Sequence, residues 1–276
     1  MEAYSSNNTN DIGTSIFSGT STGGSTTSLI DTGKDFTAGT PVVAGDCIIL
    51  DKSGSVPEWG YVTAVAATEL TIAGGFSSGG TGSGRAYIVV DKSATTGAHA
   101  VIIEYLNGSY AEDTEIVLLN GTTPVDTVQT DLFRVQNVAV IATGTGNKPG
   151  GAISIRNTAG TSTFGHITAG YNHSRSSFYT VPTGKTLYIV SLTPSYGFST
   201  NQTHYARLYL RANYEKHRDF GTGSIFYPYA EVVCANTAQE LDMKSPIVFP
   251  EGVDIKMSGI STFAGVASAV MRGWLE

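Results

Sequence analysis

Charge is scarce: Asp, Glu, Lys and Arg make up 14% of the 276 residues, against roughly 25% in an ordinary soluble domain. Cysteine is scarcer still, with two in the chain, too few for a disulfide scaffold or a CxxC metal site. Cys47 opens the apolar run CIIL and Cys234 closes AEVVC, so each reads as a small buried hydrophobe. No apolar run approaches the ~20 residues of a membrane-spanning helix. The opening MEAYSSNNTNDIG has neither the basic nor the apolar region of a secretory signal, so the chain is expected to stay where it is made or leave as part of an assembly. A net charge of −7 with pI about 5.2 argues against a nonspecific grip on nucleic acid or on anionic membrane. There is no HExxH, GxSxG or GxxxxGK[ST] motif, which leaves no catalytic residue, metal or cofactor to nominate.

What fills the space is Gly (33), Tyr (14) and Phe (11) with abundant Ser and Thr. Aromatic and β-branched residues suit a pleated, half-buried surface, and no 3.6-residue periodicity persists beyond a turn or two. The expectation is an all-β protein with a small N-terminal β-barrel-like unit, a middle β unit and a C-terminal jelly-roll sandwich. Residues 1–25 are mostly Ser, Asn, Thr and Gly and read as an arm, adhesive through Tyr4, Ile12, Ile16 and Phe17 and removable without unfolding the rest. Residues 26–95 carry short apolar runs (VVAGDCIIL, WGYVTAVA, ELTIAGG, AYIVV) separated by turn chemistry. GGTGSGRAY resembles a phosphate loop superficially, but a strand-like run follows where a helix is needed. Residues 96–170 contain Asn107-Gly108 and Asn120-Gly121, both strong hairpin signals. In 171–276 about eight strands are expected, among them QELDMK and PIVFP. VPTGKTLYI and FPEGVDIKM share a Pro-x-Gly pattern that places similar tight corners before two strands.

Candidate sites are few. Glu112, Asp113 and Glu115 sit within one turn and have the oxygens to ligate a cation, although a solvated loop is the simpler reading. In HYARLYLRANYEKHRDF, alternation turns Ala206, Leu208 and Leu210 one way and Arg207, Tyr209 and Arg211 the other, with Arg218 following. Tyr offers rigid contact area and Arg forks onto carboxylates, so Arg207, Tyr209, Arg211 and Arg218 join the arm residues as expected partner contacts. Residues 1–84 hold two basic residues, Lys34 and Lys52, against eight acidic ones, which favours docking to a basic protein surface.

SFYTVPTGKTLYIVSL, then HYARLYLRA, then the closing AVMRGWLE resemble small jelly-roll domains of tailed-bacteriophage virion proteins. The upstream TGTSTGGSTTSLIDTGKDF, AGDCIIL and GYVTAVAATELTI are similar to short β modules of phage structural proteins. The resemblance spans about residues 13–90 and 176–276. It implies a non-enzymatic structural protein located in the virion, with the major capsid protein or other virion proteins as partners and no nucleic acid or membrane. A homotrimer is implied too, as is a decoration (cement) role bridging capsomers. The alternative is a tail, fibre or vertex protein that binds a receptor or glycan.

Overall fold

The computed structural model describes residues 1–52, 57–73, 75–76, 83–197, 204–214, 225–235 and 238–276. Among them there is no helix, and the protein is all-β. The chain divides into two compact units, Met1–Gly108 with Asp113–Arg175, and Ser109–Glu112 with Ser176–Glu276.

In the first unit the chain opens with β1 (Glu2–Ser5), β2 (Ser15–Thr20), β3 (Gly23–Ser25), β4 (Ser28–Ile30), β5 (Cys47–Leu50), β6 (Glu58–Val65), β7 (Glu69–Ala73) and β8 (Ala86–Val90). Seven of these form one sheet in the order β2-β8-β5-β6-β7-β4-β3. The two ends of that order, β2 and β3, are separated only by Ser21 and Thr22. Ser21 N–H donates to Arg85 O, and Thr22 N–H donates to Ile30 O on the opposite side. One stretch of chain therefore pairs with both edges, and the sheet closes into the expected small barrel. Leu29, Phe36, Ile48, Leu50, Val62 and Val89 fill it.

The closing strand is a correction to the expected arm. Phe17 meets Phe36 edge-on at 5.3 Å, and Ile16 packs against the same core. These side chains seal the barrel wall. Closure was hidden in the sequence because SIFSGTSTGGS is mostly polar and small, with no sustained alternation to mark it as a strand.

Next come β9 (Ala98–Asn107), β10 (Glu112–Leu118), β11 (Val125–Asp126), β12 (Leu132–Thr143), β13 (Ile153–Arg156) and β14 (Thr163–Ile167). They form two sheets, β11-β1-β13-β14 and β10-β9-β12, around Ala3, Val101, Ile103, Tyr105, Val138 and Ile155. The first five residues thus lie in the interior of a sheet. Tyr4 stacks under the Arg156 guanidinium at 4.0 Å, and Glu2 pairs with Arg156 at 2.6 Å. β9 is buried along nearly its whole length, as expected of a strand covered on both faces. Its second face, Ala100 and Ile102, shares a core with Cys47, Ile49 and Val90 of the barrel.

Between β1 and β2 the chain is tied by Asp11, which is fully buried. Its carboxylate accepts from Ser5 Oγ at 2.6 Å, Ala98 N–H at 2.7 Å, and Gly150 and Gly151 N–H at 2.8 Å each. Gly97 is required there, because a Cβ would come within 2.1 Å of Asp11 Oδ1. Ile12 bridges Asn120, so it too is a seam within the fold.

The second unit contains β15 (Phe178–Thr180), β16 (Leu187–Gly197), β17 (Ala206–Asn213), β18 (Tyr227–Cys234), β19 (Leu241–Phe249), β20 (Asp254–Ser261) and β21 (Val266–Leu275). Two antiparallel sheets, β15-β20-β17-β18 and β19-β16-β21, enclose Val181, Ile189, Leu210, Phe249 and Ile255. The two Pro-x-Gly corners are alike: Gly184 and Gly252 both have φ of 73°, a conformation that favours glycine. They also bond to each other, Val181 N–H to Val253 O at 3.0 Å and Gly252 N–H to Val181 O at 2.8 Å. β15 and β16 therefore pair with β20 and β19 as a two-stranded ribbon that turns from one sheet into the other. QELDMK and PIVFP contribute to one strand, β19, whose register breaks between Asp242 and Ile247. Pro246 falls in that break, where no ladder donor is needed.

Candidate functional site

β17 is buried at Ala206, Leu208, Leu210 and Ala212 and open or half-open at Arg207, Tyr209 and Arg211, as its alternation requires. Its neighbours extend the open side into a continuous face. Val233 and Ile260 flank Arg207, Glu231 and Ser258 flank Tyr209, and Lys256 lies beside Arg211 with Phe178 beyond it. Arg211 Cζ sits 4.8 Å from the Tyr209 ring centroid, and Lys256 Nζ sits 3.8 Å from that of Phe226. Phe226 meets Phe178 edge-on at 6.5 Å.

Three cations thus share the face with one carboxylate, Glu231, which lies 3.6 Å from Arg207 in an exposed pair of little energetic weight. Arg211 Nε is screened from solvent and has no hydrogen-bond partner among the described residues. Val233 and Ile260 are 52% and 65% exposed. Aromatic area with forked donors and few competing acids is suited to a protein surface bearing carboxylates.

The expected contact residues separate into two groups. Arg207, Tyr209 and Arg211 are brought together, while Arg218 lies outside the described residues. Tyr4, Ile12, Ile16 and Phe17 belong to the first unit's own packing. Lys256, Phe178 and Phe226 were not singled out from the sequence. The alternation in DIKMSGIS puts Lys256, Ser258 and Ile260 on one side, but only the β17–β20 register shows which side they join.

Other nominated groups serve the fold. Glu115 is buried and accepts from Val128 and Gln129 N–H at 2.7 and 3.1 Å, while Asp113 accepts from Thr114 N–H. The acidic turn does not converge, and no group of three or more His, Cys, Asp or Glu gathers among the described residues. Five of the eight acidic residues in 1–84 (Glu2, Asp11, Asp31, Asp46 and Glu58) are buried, so their charge is not offered to a basic partner. Burial holds Asp46 above its usual range, against the Val43 and Lys92 amides that it accepts from. Cys47 and Cys234 are free and buried, and desolvation pushes the Cys47 thiol up to about 12, far from a reactive thiolate. The glycine-rich stretch ahead of β8 lies partly outside the described residues (77–82), and it leads into that strand where a phosphate loop would lead into a helix.

Comparison with protein-family models, with curated proteins and with solved structures finds no match to this chain.

Proposed function

We propose that this chain is a non-enzymatic structural protein of a tailed-bacteriophage virion, acting as a capsid decoration (cement) protein. The observation that carries the reading is the outer face of the β15-β20-β17-β18 sheet, where Arg207, Arg211 and Lys256 alternate with Tyr209, Phe178 and Phe226. The resemblance in the SFYTVPTGKTLYIVSL and HYARLYLRA segments supports the same reading. The contact is made by this face and not by an N-terminal arm. Many copies on a lattice turn modest single contacts into firm attachment, so the protein bridges neighbouring capsid subunits without needing one large interface. Quantitative mass spectrometry of purified particles tests this. A copy number equal to that of the major capsid protein, or a simple fraction of it, is expected. A handful of copies per particle, or none, overturns the decoration role.

One observation favours the second reading, a receptor- or glycan-binding protein of the tail or a vertex. Tyr214, Tyr227 and Tyr229 are exposed, and Tyr214 and Tyr229 gather over Phe249 at 6.4 and 5.2 Å, a platform of the kind on which sugar rings stack. A glycan array with the full chain distinguishes it: saturable binding abolished by Tyr229→Ala supports this alternative.

A further inference from the structure

Four strands form the sheet edges of the second unit, and three of them carry the devices that keep edges from pairing. β15 has three residues. β18 contains Pro228 and Glu231 and shifts register between Leu210 and Arg211 of its neighbour. β19 contains Asp242, Lys244 and Pro246 and breaks register. Among the described residues β21 is neither short nor bulged: the one irregularity in its ladder, between Ile189 and Ser191, puts the extra residue on β16. It is ten residues long, without proline, with Arg272 as its single charge. Its partner β16 covers one side, from Val266 opposite Gly197 to Leu275 opposite Leu187, and β21 ends the sheet on the other side.

Its side chains are exposed in a pattern. Val266, Val270 and Trp274 are 77%, 57% and 47% exposed and project from the same face at every fourth position. Tyr188 stacks on Trp274 with centroids 5.1 Å apart and planes 8° from parallel, so the indole is held rigidly where it stands.

We infer that β21 pairs antiparallel with β21 of a second copy, about a two-fold axis through Val270. That register places Val266 opposite the other copy's Trp274, Ser268 opposite its Arg272, and Val270 opposite itself. Val266, Val270 and Trp274 each gain an apolar partner. Each Arg272 faces a serine, not another arginine, and keeps Glu240 of its own chain 3.7 Å away. An axis through Arg272 would set the two guanidiniums against each other, and an axis through Met271 would set Val270 against Arg272.

The backbone agrees with the register. Thr186 and Glu276 exchange both main-chain hydrogen bonds. Alternation then turns the amides of Trp274, Arg272, Val270 and Ser268 toward β16, and those of Gly273, Met271, Ala269 and Ala267 outward. With the axis at Val270, Ala269 pairs with the other Met271 and Ala267 with the other Gly273, each exchanging two bonds, while Val270 sits in a non-hydrogen-bonded pair. Two three-stranded sheets become one of six. A strand pair of this length is smaller than the roughly 20–30 residues a side of a standard interface, so the association is concentration-dependent. It replaces the threefold burial expected from the resemblance, and it does not depend on what the outer face of the other sheet binds.

The test uses the full chain with single cysteines. Facing Cα atoms of a non-hydrogen-bonded pair are ~4.5 Å apart, within disulfide range, and native Cys47 and Cys234 are buried. Val270→Cys is expected to give a covalent dimer under mild oxidation, while Val266→Cys, facing Trp274, stays uncrosslinked. Sedimentation should show a monomer–dimer equilibrium, with Val270→Lys raising the dissociation constant at least about tenfold by setting like charges face to face. A monomer at every concentration overturns the pairing. So does a trimer, equal crosslinking at positions 266 and 270, or a dimer indifferent to Val270→Lys.

Discussion

The two units place their unusual residues oppositely. Among the described residues, six of the seven buried carboxylates lie in the first unit and only Asp254 lies in the second. Of nineteen exposed large hydrophobic side chains, thirteen lie in the second unit, although it is the smaller. In the first unit polar groups are used internally: Asp11 gathers four donors, Asp31 accepts from the Tyr87 hydroxyl, and Glu58 and Asp51 hold Arg85 at 2.5 and 2.7 Å. Such groups are costly to bury unless satisfied and tie the chain tightly once they are. The second unit instead leaves aromatic and aliphatic area uncovered on both of its sheets. Polar groups thus consolidate the first unit from within, while the second unit carries most of the exposed apolar area among the described residues.

The contrast can be broken most severely at the N-terminus. Deleting residues 1–20 removes the interior strand β1 of the β11-β1-β13-β14 sheet, the Asp11 tie and the barrel's closing strand. The expected outcome is loss of the first unit's cooperative unfolding transition in thermal melts followed by circular dichroism. A freely dispensable arm would leave that melt unchanged. Next in size is Asp11→Ala, which strands the buried main-chain amides of Ala98 and Gly151 and the part-buried one of Gly150. Urea unfolding should show a loss of about 3–5 kcal/mol, the scale for several unpaired buried donors.

A smaller effect concerns His99, buried beside Thr95 Oγ1 at 2.7 Å. Burial lowers its pKa below the usual 6.5, opposed by Asp91 and Asp11. The unfolded chain therefore binds the proton more readily, and stability falls as pH drops through about 6.5 and below. Melting temperature against pH should flatten in that window for His99→Gln. Smallest for stability are Arg207→Glu and Lys256→Glu in the second unit, expected within about 0.5 kcal/mol of wild type, because both cations lie on an open face.

Much of this contrast was legible in the sequence where pattern is local. The barrel strands, the alternation in ARLYLR and the twin Pro-x-Gly corners each announce themselves within ten residues. The rest depended on distant pairing. β1 takes its place between Asp126 and Arg156, far away in sequence, and nothing in MEAYSSNN encodes that choice locally. An acidic count for residues 1–84 reads as surface charge until burial is known, and Pro246 reads as a strand break until β19 is seen to bulge around it. Lys256 and Phe178 join the Arg face only through the register of β20 with β17 and β15.

Central to the proposed role is that the second unit carries the surface other virion proteins cover. The most direct measurement is the affinity of wild-type protein and of the Arg207→Glu/Lys256→Glu double variant for particles stripped of the protein, with both proteins confirmed to melt alike. Saturating binding by wild type and at least about a tenfold loss for the variant are predicted, in line with like charges brought against a partner selected for the opposite sign. Equal binding by the two would contradict that role for the face.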